Sequence, residues 1–104
     1  MTSSGRSPVE EFLNDLSYEM RLEFMDALIR LDEGELLQMP LSRNLSSIHR
    51  GLHELRLKDE TGAYRFFYYI KKAEGIYILH AFKKKTQELP EKEVKLVLKR
   101  IKEV

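Results

Sequence analysis

The chain has 104 residues and no cysteine; 42% of its residues are hydrophobic and 34% are charged. This length fits one domain with one modest core, and the lack of cysteine excludes a disulfide framework, a thiol nucleophile and a cysteine-based zinc site. No apolar run approaches the ~18 residues that span a membrane, and the N-terminal sequence lacks the apolar segment of a signal peptide. We therefore expect a single cytoplasmic domain over residues 1–104.

The net charge of +1 conceals an asymmetry between the two parts of the chain. Residues 1–42 contain three basic and nine acidic side chains, a net charge of −6, whereas residues 43–104 contain fifteen basic and eight acidic ones, a net charge of +7. Such a division indicates two different partners, one of them anionic. The alternative is a chance clustering of charges on solvated faces.

Residues 7–34 are predicted to form a helical hairpin after a flexible tail at residues 1–6. Ser7 is typical of a helix start, and Ser17 can cap a second helix that ends near Gly34. In this second helix, a broad apolar stripe is the expected core-facing side: Leu22, Met25, Leu28, Ile29 and Leu31.

Residues 52–83 have the pattern of an antiparallel sheet, after a predicted connector at residues 39–51. The run 52–58 alternates between apolar and polar residues, and strand-favouring runs follow at 64–70 and 76–82. Short turns join these runs, which indicates an antiparallel meander. On the third strand, alternation places four side chains together: Ile76, Ile78, His80 and Phe82.

Residues 90–103 are predicted to form a C-terminal helix. The order α-α-β-β-β-α defines an α+β fold: an N-terminal α-hairpin, an antiparallel sheet of three strands or slightly more, and a final helix. Helices at both ends are expected to cover one face of the sheet. The other face is then expected to be partly open and to hold the functional side chains.

Two arginines lie within the predicted strands, where an unpaired charge is rarely buried. Arg56 and Arg65 are on adjacent strands, so they can converge. Arginines beside exposed aromatic rings suit RNA, because guanidinium groups neutralise phosphates and rings stack on bases. The alternative is that each arginine forms a structural salt bridge with an acidic neighbour such as Glu54.

His80 and the run Lys83-Lys84-Lys85 also allow two interpretations. A histidine near a strand end suits general acid or base chemistry, but apolar neighbours also fit a packing histidine. The lysines are either phosphate contacts or a solvated turn. The three histidines lack metal-ligand spacing, and no glycine-rich phosphate loop is present. We expect no metal and no cofactor.

The segments "GLHELRLKDETGAYRFFYYI" (51–70) and "ILHAFKKKTQELP" (78–90) resemble the RelE/ParE toxin superfamily, and within it the phage-derived and HigB-like toxins of type II toxin–antitoxin modules. The matching residues, in chain order, are Gly51, Leu52, Glu54, Leu55, Arg56, Tyr64, Arg65, Leu79, His80, Phe82, Lys84, Lys85, Thr86 and Pro90. Glu88 and Leu89 depart from the pattern, where a basic or polar residue and a small hydroxyl residue are usual.

This resemblance implies a toxin that cleaves mRNA in the ribosomal decoding site, acting as a metal-independent endoribonuclease. The RNA's own 2′-OH attacks the adjacent phosphate while basic residues stabilise the developing charge. The residues expected to carry activity are Arg56, Arg65, Lys84 and Lys85, with Tyr68 and His80 as helpers. Further RNA contacts are expected from Lys58, Lys83 and Arg100, although Lys83 occupies a variable position of the pattern.

The expected partners are mRNA, the ribosome and a cognate antitoxin, often a helix-turn-helix DNA-binding protein. We expect the antitoxin to contact the basic strand face, the helical hairpin, or both. Two other functions remain open at this point: a ParE-like inhibitor of DNA gyrase, and a non-catalytic module that binds RNA or an antitoxin.

Overall fold

The computed structural model describes residues 8–60, 62–71, 75–84 and 91–104. Within these ranges the fold is α+β, as predicted, with three helices and four strands. In chain order the elements are α1 (Pro8–Asn14), α2 (Tyr18–Asp32), β1 (Ser42–Asn44), β2 (Leu52–Asp59), β3 (Gly62–Lys71), β4 (Gly75–Lys84) and α3 (Glu91–Ile101).

Ser17 begins α2, as the sequence predicts. Its backbone is extended, and its side chain accepts a hydrogen bond from the Met20 amide at 3.2 Å, which satisfies one of the unpaired donors of the first turn. The chain leaves the helix through Gly34, whose φ of +90° suits a residue without a Cβ atom. The predicted cap of the first helix, Ser7, lies outside the described residues.

The four strands form one antiparallel sheet in the order β1-β2-β3-β4, which confirms the predicted meander. One row of Cα partners crosses the sheet from Ser42 through Leu55 and Phe66 to Ala81. The short edge strand β1 lies within the segment that the sequence predicted to be a connector. That prediction was wrong because a three-residue strand is too short to show alternation.

Helices cover both faces of the sheet, so the expectation of one covered and one open face was wrong. Both helices of the hairpin pack on the face formed by Leu55, Leu57, Tyr64, Phe66 and Tyr68, here called the hairpin face. The opposite face, here called the α3 face, packs Leu52 and Phe67 against Val97 and Ile101. The physical reason is the aromatic run of β3, because it gives both faces apolar side chains that must be buried.

A β-bulge in β4 changes which of its side chains share a face. Phe67 is the Cα partner of His80, but the next residue, Tyr68, is the partner of Ile78, so Leu79 is the extra residue. Ile78 therefore packs in the hairpin-face cluster, whereas His80 stacks on Phe67 on the α3 face. The predicted grouping of Ile76 and Ile78 with His80 and Phe82 was wrong for this reason.

The second helix buries only part of the predicted stripe: Leu31 is buried and Leu28 packs against the core, but the rest of the stripe lies on the other side of the helix. Its buried residues are Met20, Phe24, Ala27 and Leu31, which contact the sheet. Leu22, Met25 and Ile29, which the sequence assigned to the core, are 51%, 52% and 55% exposed. The helix has two apolar stripes on opposite sides, and periodicity alone does not distinguish the one that packs.

Candidate nucleic-acid interface

Arg56 and Arg65 face each other across β2 and β3. They are direct Cα partners, so both side chains lie on the α3 face. Like charges directly opposite each other destabilise a sheet, which makes this pair costly unless an anion binds. Arg56 is partly exposed, and its Nη1 lies 3.4 Å from the Met39 sulfur. Arg65 is buried, with a side chain 9% exposed.

One buried carboxylate lies beside the arginine pair. Glu54 is 1% exposed, and its Oε2 lies 3.6 Å from Arg65 Nε, which is an ion pair but too long for a good hydrogen bond. Neither of these two atoms has a hydrogen-bond partner among the described residues. Since one carboxylate faces two guanidinium groups, the local charge is positive.

Burial is the main influence on the pKa of Arg65. Desolvation lowers this pKa from its ordinary value, the Glu54 carboxylate raises it, and the Arg56 guanidinium lowers it further. Arginine nevertheless stays protonated at every physiological pH. Arg65 therefore contributes a permanent, poorly solvated positive charge to the α3 face, and a bound anion would reduce that electrostatic cost.

His80 lies in a cluster with two aromatic rings and contacts two charged side chains from α3. Its ring stacks on Phe67 and Phe82, with centroids 6.4 and 5.7 Å away. Its Nε2 lies 2.8 Å from Glu93 Oε1, and its Nδ1 lies 3.2 Å from Arg100 Nη1. These contacts tie β4 to α3 on the α3 face.

The three sequence-predicted groups Arg56, Arg65 and His80 thus share the α3 face, whereas Tyr68 does not. Tyr68 is 1% exposed on the hairpin face, where its hydroxyl and the Ser42 hydroxyl are 2.7 Å apart. Burial raises the pKa of Tyr68, and the Ser42 hydrogen bond lowers it by a smaller amount. The geometry does not bring Tyr68 together with the arginines.

The remaining predicted contacts are distributed over the sheet. Lys58 is exposed on β2, two residues after Arg56 and so on the same face. Lys83 is opposite Tyr64 on the hairpin face, with its Nζ 5.7 Å from the ring centroid. Lys84 is the last residue of β4 and the Cα partner of Ala63, and Lys85 lies outside the described residues.

Arg100 is directed into the fold rather than towards solvent. Its Nη1 donates to the Leu79 carbonyl oxygen at 2.7 Å in addition to contacting His80. The structure therefore places it as a support for His80, and its predicted contact with RNA stays a prediction.

Two charged residues near the site were not predicted from the sequence. Glu93 contacts His80, and it is seven residues before Arg100, a spacing of two helical turns that places both on one side of α3. Arg43 on β1 is the Cα partner of Glu54 and so lies on the α3 face. The Glu93–Arg100 spacing could have been found in the sequence, whereas Arg43 required knowledge of β1.

The described residues contain no group of three or more histidine, aspartate and glutamate side chains that could hold a metal ion. None of the described helices is long and apolar enough to cross a membrane.

The fold and this face define an α+β protein with a helix-covered antiparallel sheet and two arginines opposite each other on the α3 face. Residues 11–102 match the model of the family described as "Phage derived protein Gp49-like (DUF891)". The match covers most of the chain, so the protein belongs to this Gp49-like family. No curated protein matches the sequence. The resemblance stated above is thereby confirmed as far as a phage-derived family, and its RelE/ParE and HigB-like parts stay predictions.

Proposed function

We propose that the protein is the toxin of a type II toxin–antitoxin system and that it cleaves mRNA on the ribosome. The observation that carries this proposal is the Arg56–Arg65 pair, two cations directly opposite each other with one carboxylate nearby. A phosphate group bound between them would relieve their mutual repulsion. The match to a phage-derived family supports the same interpretation, because the resemblance that implies toxin activity covers that family.

In the proposed reaction, the 2′-oxygen of one ribose forms a bond to the adjacent phosphorus, and the bond from phosphorus to the 5′-oxygen of the next nucleotide breaks. A base takes the 2′-OH proton and an acid supplies a proton to the departing 5′-oxygen. Arg56 and Arg65 are suited to stabilise the added negative charge on the phosphoryl oxygens. Phe82, partly exposed beside Arg65, is suited to stack on a base.

The two proton transfers require an acid and a base near the bound phosphate. His80 is the candidate that the sequence indicates for these transfers, but both of its ring nitrogens contact α3. This observation favours a second candidate function, a module that binds RNA through the same arginines without cleaving it. The Lys84 and Lys85 contacts predicted from the resemblance are common to both functions.

The two candidates are separated by measuring RNA binding and RNA cleavage with the same purified protein. We expect the affinity for single-stranded RNA to fall with salt, and Arg56→Gln to reduce the slope of log K against log salt by about 0.7, the value for one phosphate contact. Arg21→Gln, an exposed arginine on α2, removes the same charge away from the site and should leave the slope unchanged.

Cleavage of ribosome-bound mRNA that is lost in Arg56→Ala/Arg65→Ala supports the toxin. Binding without cleavage, alone or with ribosomes, supports the second candidate. Inducible expression adds a third comparison: prompt mRNA cleavage with normal DNA supercoiling is expected, whereas DNA double-strand breaks with intact mRNA would contradict both candidates and point to a gyrase inhibitor.

A further inference from the structure

The outer side of α2 carries a continuous apolar stripe. Tyr18, Leu22, Met25 and Ile29 are 67%, 51%, 52% and 55% exposed. Their spacing of four, three and four residues places them along one side of the helix, directly opposite the buried Met20, Phe24, Ala27 and Leu31. Within the described part of the chain the stripe belongs to neither buried cluster, because the helix buries its other side against the sheet. An apolar stripe of this length on a surface is typical of an interaction site.

A groove of about 310 Å³ runs beside this stripe, between α2 and the sheet. Ala27, Leu41 and Leu57 provide apolar lining, and Glu23 and Asp26 provide acidic lining. Arg30 also lines the groove, but it is hydrogen-bonded to Glu35 and lies 4.0 Å from Asp26, so acidic neighbours offset its charge. The groove and the stripe share Leu22 and form one surface with an acidic margin.

We propose that this surface, defined by Tyr18, Leu22, Met25 and Ile29 with the acidic margin Glu23 and Asp26, binds an amphipathic helix of a partner protein. The partner helix would have an apolar side flanked by lysine or arginine. From residue 18 to residue 29 the stripe extends about 16 Å, or three helical turns, so a partner helix can pack along it over that length. The basic flank follows from the charge of the margin.

A second copy of this chain fits the surface less well. Two α2 helices related antiparallel by a two-fold axis would place the same margin of each helix side by side. Glu23 and Asp26 would then meet the same carboxylates of the other copy, and like charges across an interface are unfavourable. The inference concerns the face of α2 remote from the arginine pair, so it does not depend on RNA cleavage.

The test uses synthetic helical peptides and the full-length protein. The first peptide has a leucine side flanked by lysines, the second has the same leucine side flanked by glutamates, and the third is a scrambled leucine–lysine sequence without an apolar side. Binding is measured by fluorescence anisotropy and located by NMR shifts of the 15N-labelled protein. We expect the first peptide to bind at least 10-fold tighter than the other two and to shift residues 18–30.

Charge reversal makes this test specific to the acidic margin. Glu23→Lys/Asp26→Lys should lower the affinity for the lysine-flanked peptide at least 10-fold and raise the affinity for the glutamate-flanked one. Glu91→Lys/Glu103→Lys is the matched control, because it makes the same change in net charge on exposed residues of α3 and beyond it. If both variants lose affinity for the lysine-flanked peptide to the same extent, the attraction depends only on net charge, and the proposal is overturned.

A second variant tests the apolar stripe. Leu22→Gln/Ile29→Gln keeps good helix formers at two exposed positions, so circular dichroism should show that the protein remains folded. The variant should nevertheless no longer bind the lysine-flanked peptide. The proposal is overturned if no peptide binds at residues 18–30. It is equally overturned if the wild-type protein is a dimer by analytical ultracentrifugation and this variant is a monomer, because the occupant is then a second copy.

Discussion

Arg100 lies against the Nδ1 nitrogen of His80, with its Nη1 3.2 Å away. A guanidinium group has donors and no acceptor, so the Nδ1 of His80, 3.2 Å from Arg100 Nη1, must accept and carries no proton. The proton of the neutral ring is therefore on Nε2, which donates to Glu93 at 2.8 Å. Of the two tautomers, the contacts on the α3 face thus favour the one with its proton on Nε2.

We expect 15N NMR of the imidazole nitrogens to show the Nε2–H tautomer of His80 at neutral pH. Arg100→Met removes the donor at Nδ1 and should produce a mixture of the two tautomers, while Lys99→Met, on an exposed part of the same helix, should not. A predominant Nδ1–H tautomer in the wild-type protein would contradict the inferred roles of both Arg100 and Glu93.

The buried pair of Glu54 and Arg65 is predicted to be costly to break but not to replace. Glu54→Gln leaves the buried guanidinium without its counter-charge, and such a loss typically destabilises a protein by about 3–5 kcal/mol. Glu54→Met/Arg65→Met removes both charges and should be much less destabilising than either single change. The measurement is the free energy of unfolding in urea for the two single variants and the double variant.

The double variant also tests whether the Glu54–Arg65 pair serves the fold or the binding of RNA. If the double variant is as stable as the wild type and has lost RNA binding, the charged pair is retained for the anion and not for the fold. If instead the single changes have no effect on stability, the 3.6 Å ion pair does not exist in solution. Glu54→Asp is the control, because it keeps the charge while shortening the side chain.

The distribution of the β3 side chains over the two faces of the sheet follows from a local pattern in the sequence. Alternation in β3 separates Arg65 and Phe67 from Tyr64, Phe66 and Tyr68, and the structure has the same two sets on opposite faces. That alternation already placed Tyr68 away from Arg65, although the family resemblance grouped the two as site residues. A match to family motifs gives the order of residues along the chain but not the face of the sheet on which each side chain lies. The alternation of side chains along a strand does give that face.

Other features could not be predicted because they depend on contacts between distant residues. The bulge at Leu79 reverses the side of every following residue in β4, and nothing in "IYILHAF" marks the extra residue. The short strand β1 exists only through its pairing with residues 53–55 of β2. In α2, Leu22 and Phe24 belong to two equally apolar stripes, and only packing on the sheet decides between them.

Stability is predicted to fall as the solution becomes acidic, through His53. Burial lowers the pKa of this imidazole from its ordinary value of 6.5, and its ring stacks on Tyr68 with centroids 5.0 Å apart. Below pH 6.5 the unfolded chain therefore binds more protons at this residue than the folded protein does. Stability then decreases as the pH falls from 6.5 towards the lower pKa of the folded state, and this contribution is constant above that range.

The variant His53→Phe keeps an aromatic ring on Tyr68 and removes the titration. We expect its free energy of unfolding in urea to fall less steeply than that of the wild type between roughly pH 7 and pH 5. His49→Gln is the control for the loss of an imidazole elsewhere in the fold; the His49 Nδ1 contacts the Arg50 carbonyl oxygen near the surface. Identical slopes for the wild type and His53→Phe would contradict the predicted linkage.

Tyr68 provides a direct test of whether the family resemblance or the geometry assigns its role correctly. Its hydroxyl lies 2.7 Å from the Ser42 hydroxyl on the hairpin face, so Tyr68→Phe leaves a buried Ser42 without this partner. Such a loss costs about 1–3 kcal/mol. We expect Tyr68→Phe to lower the free energy of unfolding by that amount and to leave RNA binding and any RNA cleavage unchanged at a temperature where the variant is folded.

The double variant Ser42→Ala/Tyr68→Phe distinguishes a structural hydrogen bond from a catalytic hydroxyl. When both partners are removed, no polar atom of the pair is left unsatisfied, so stability should recover towards the wild-type value. A cleavage rate that stays low in this stabilised double variant, with RNA affinity unchanged, would show that the Tyr68 hydroxyl takes part in the reaction. Since Tyr68 is 1% exposed on the face opposite Arg65, the sheet would then have to rearrange for the hydroxyl to reach a phosphate bound by the arginines.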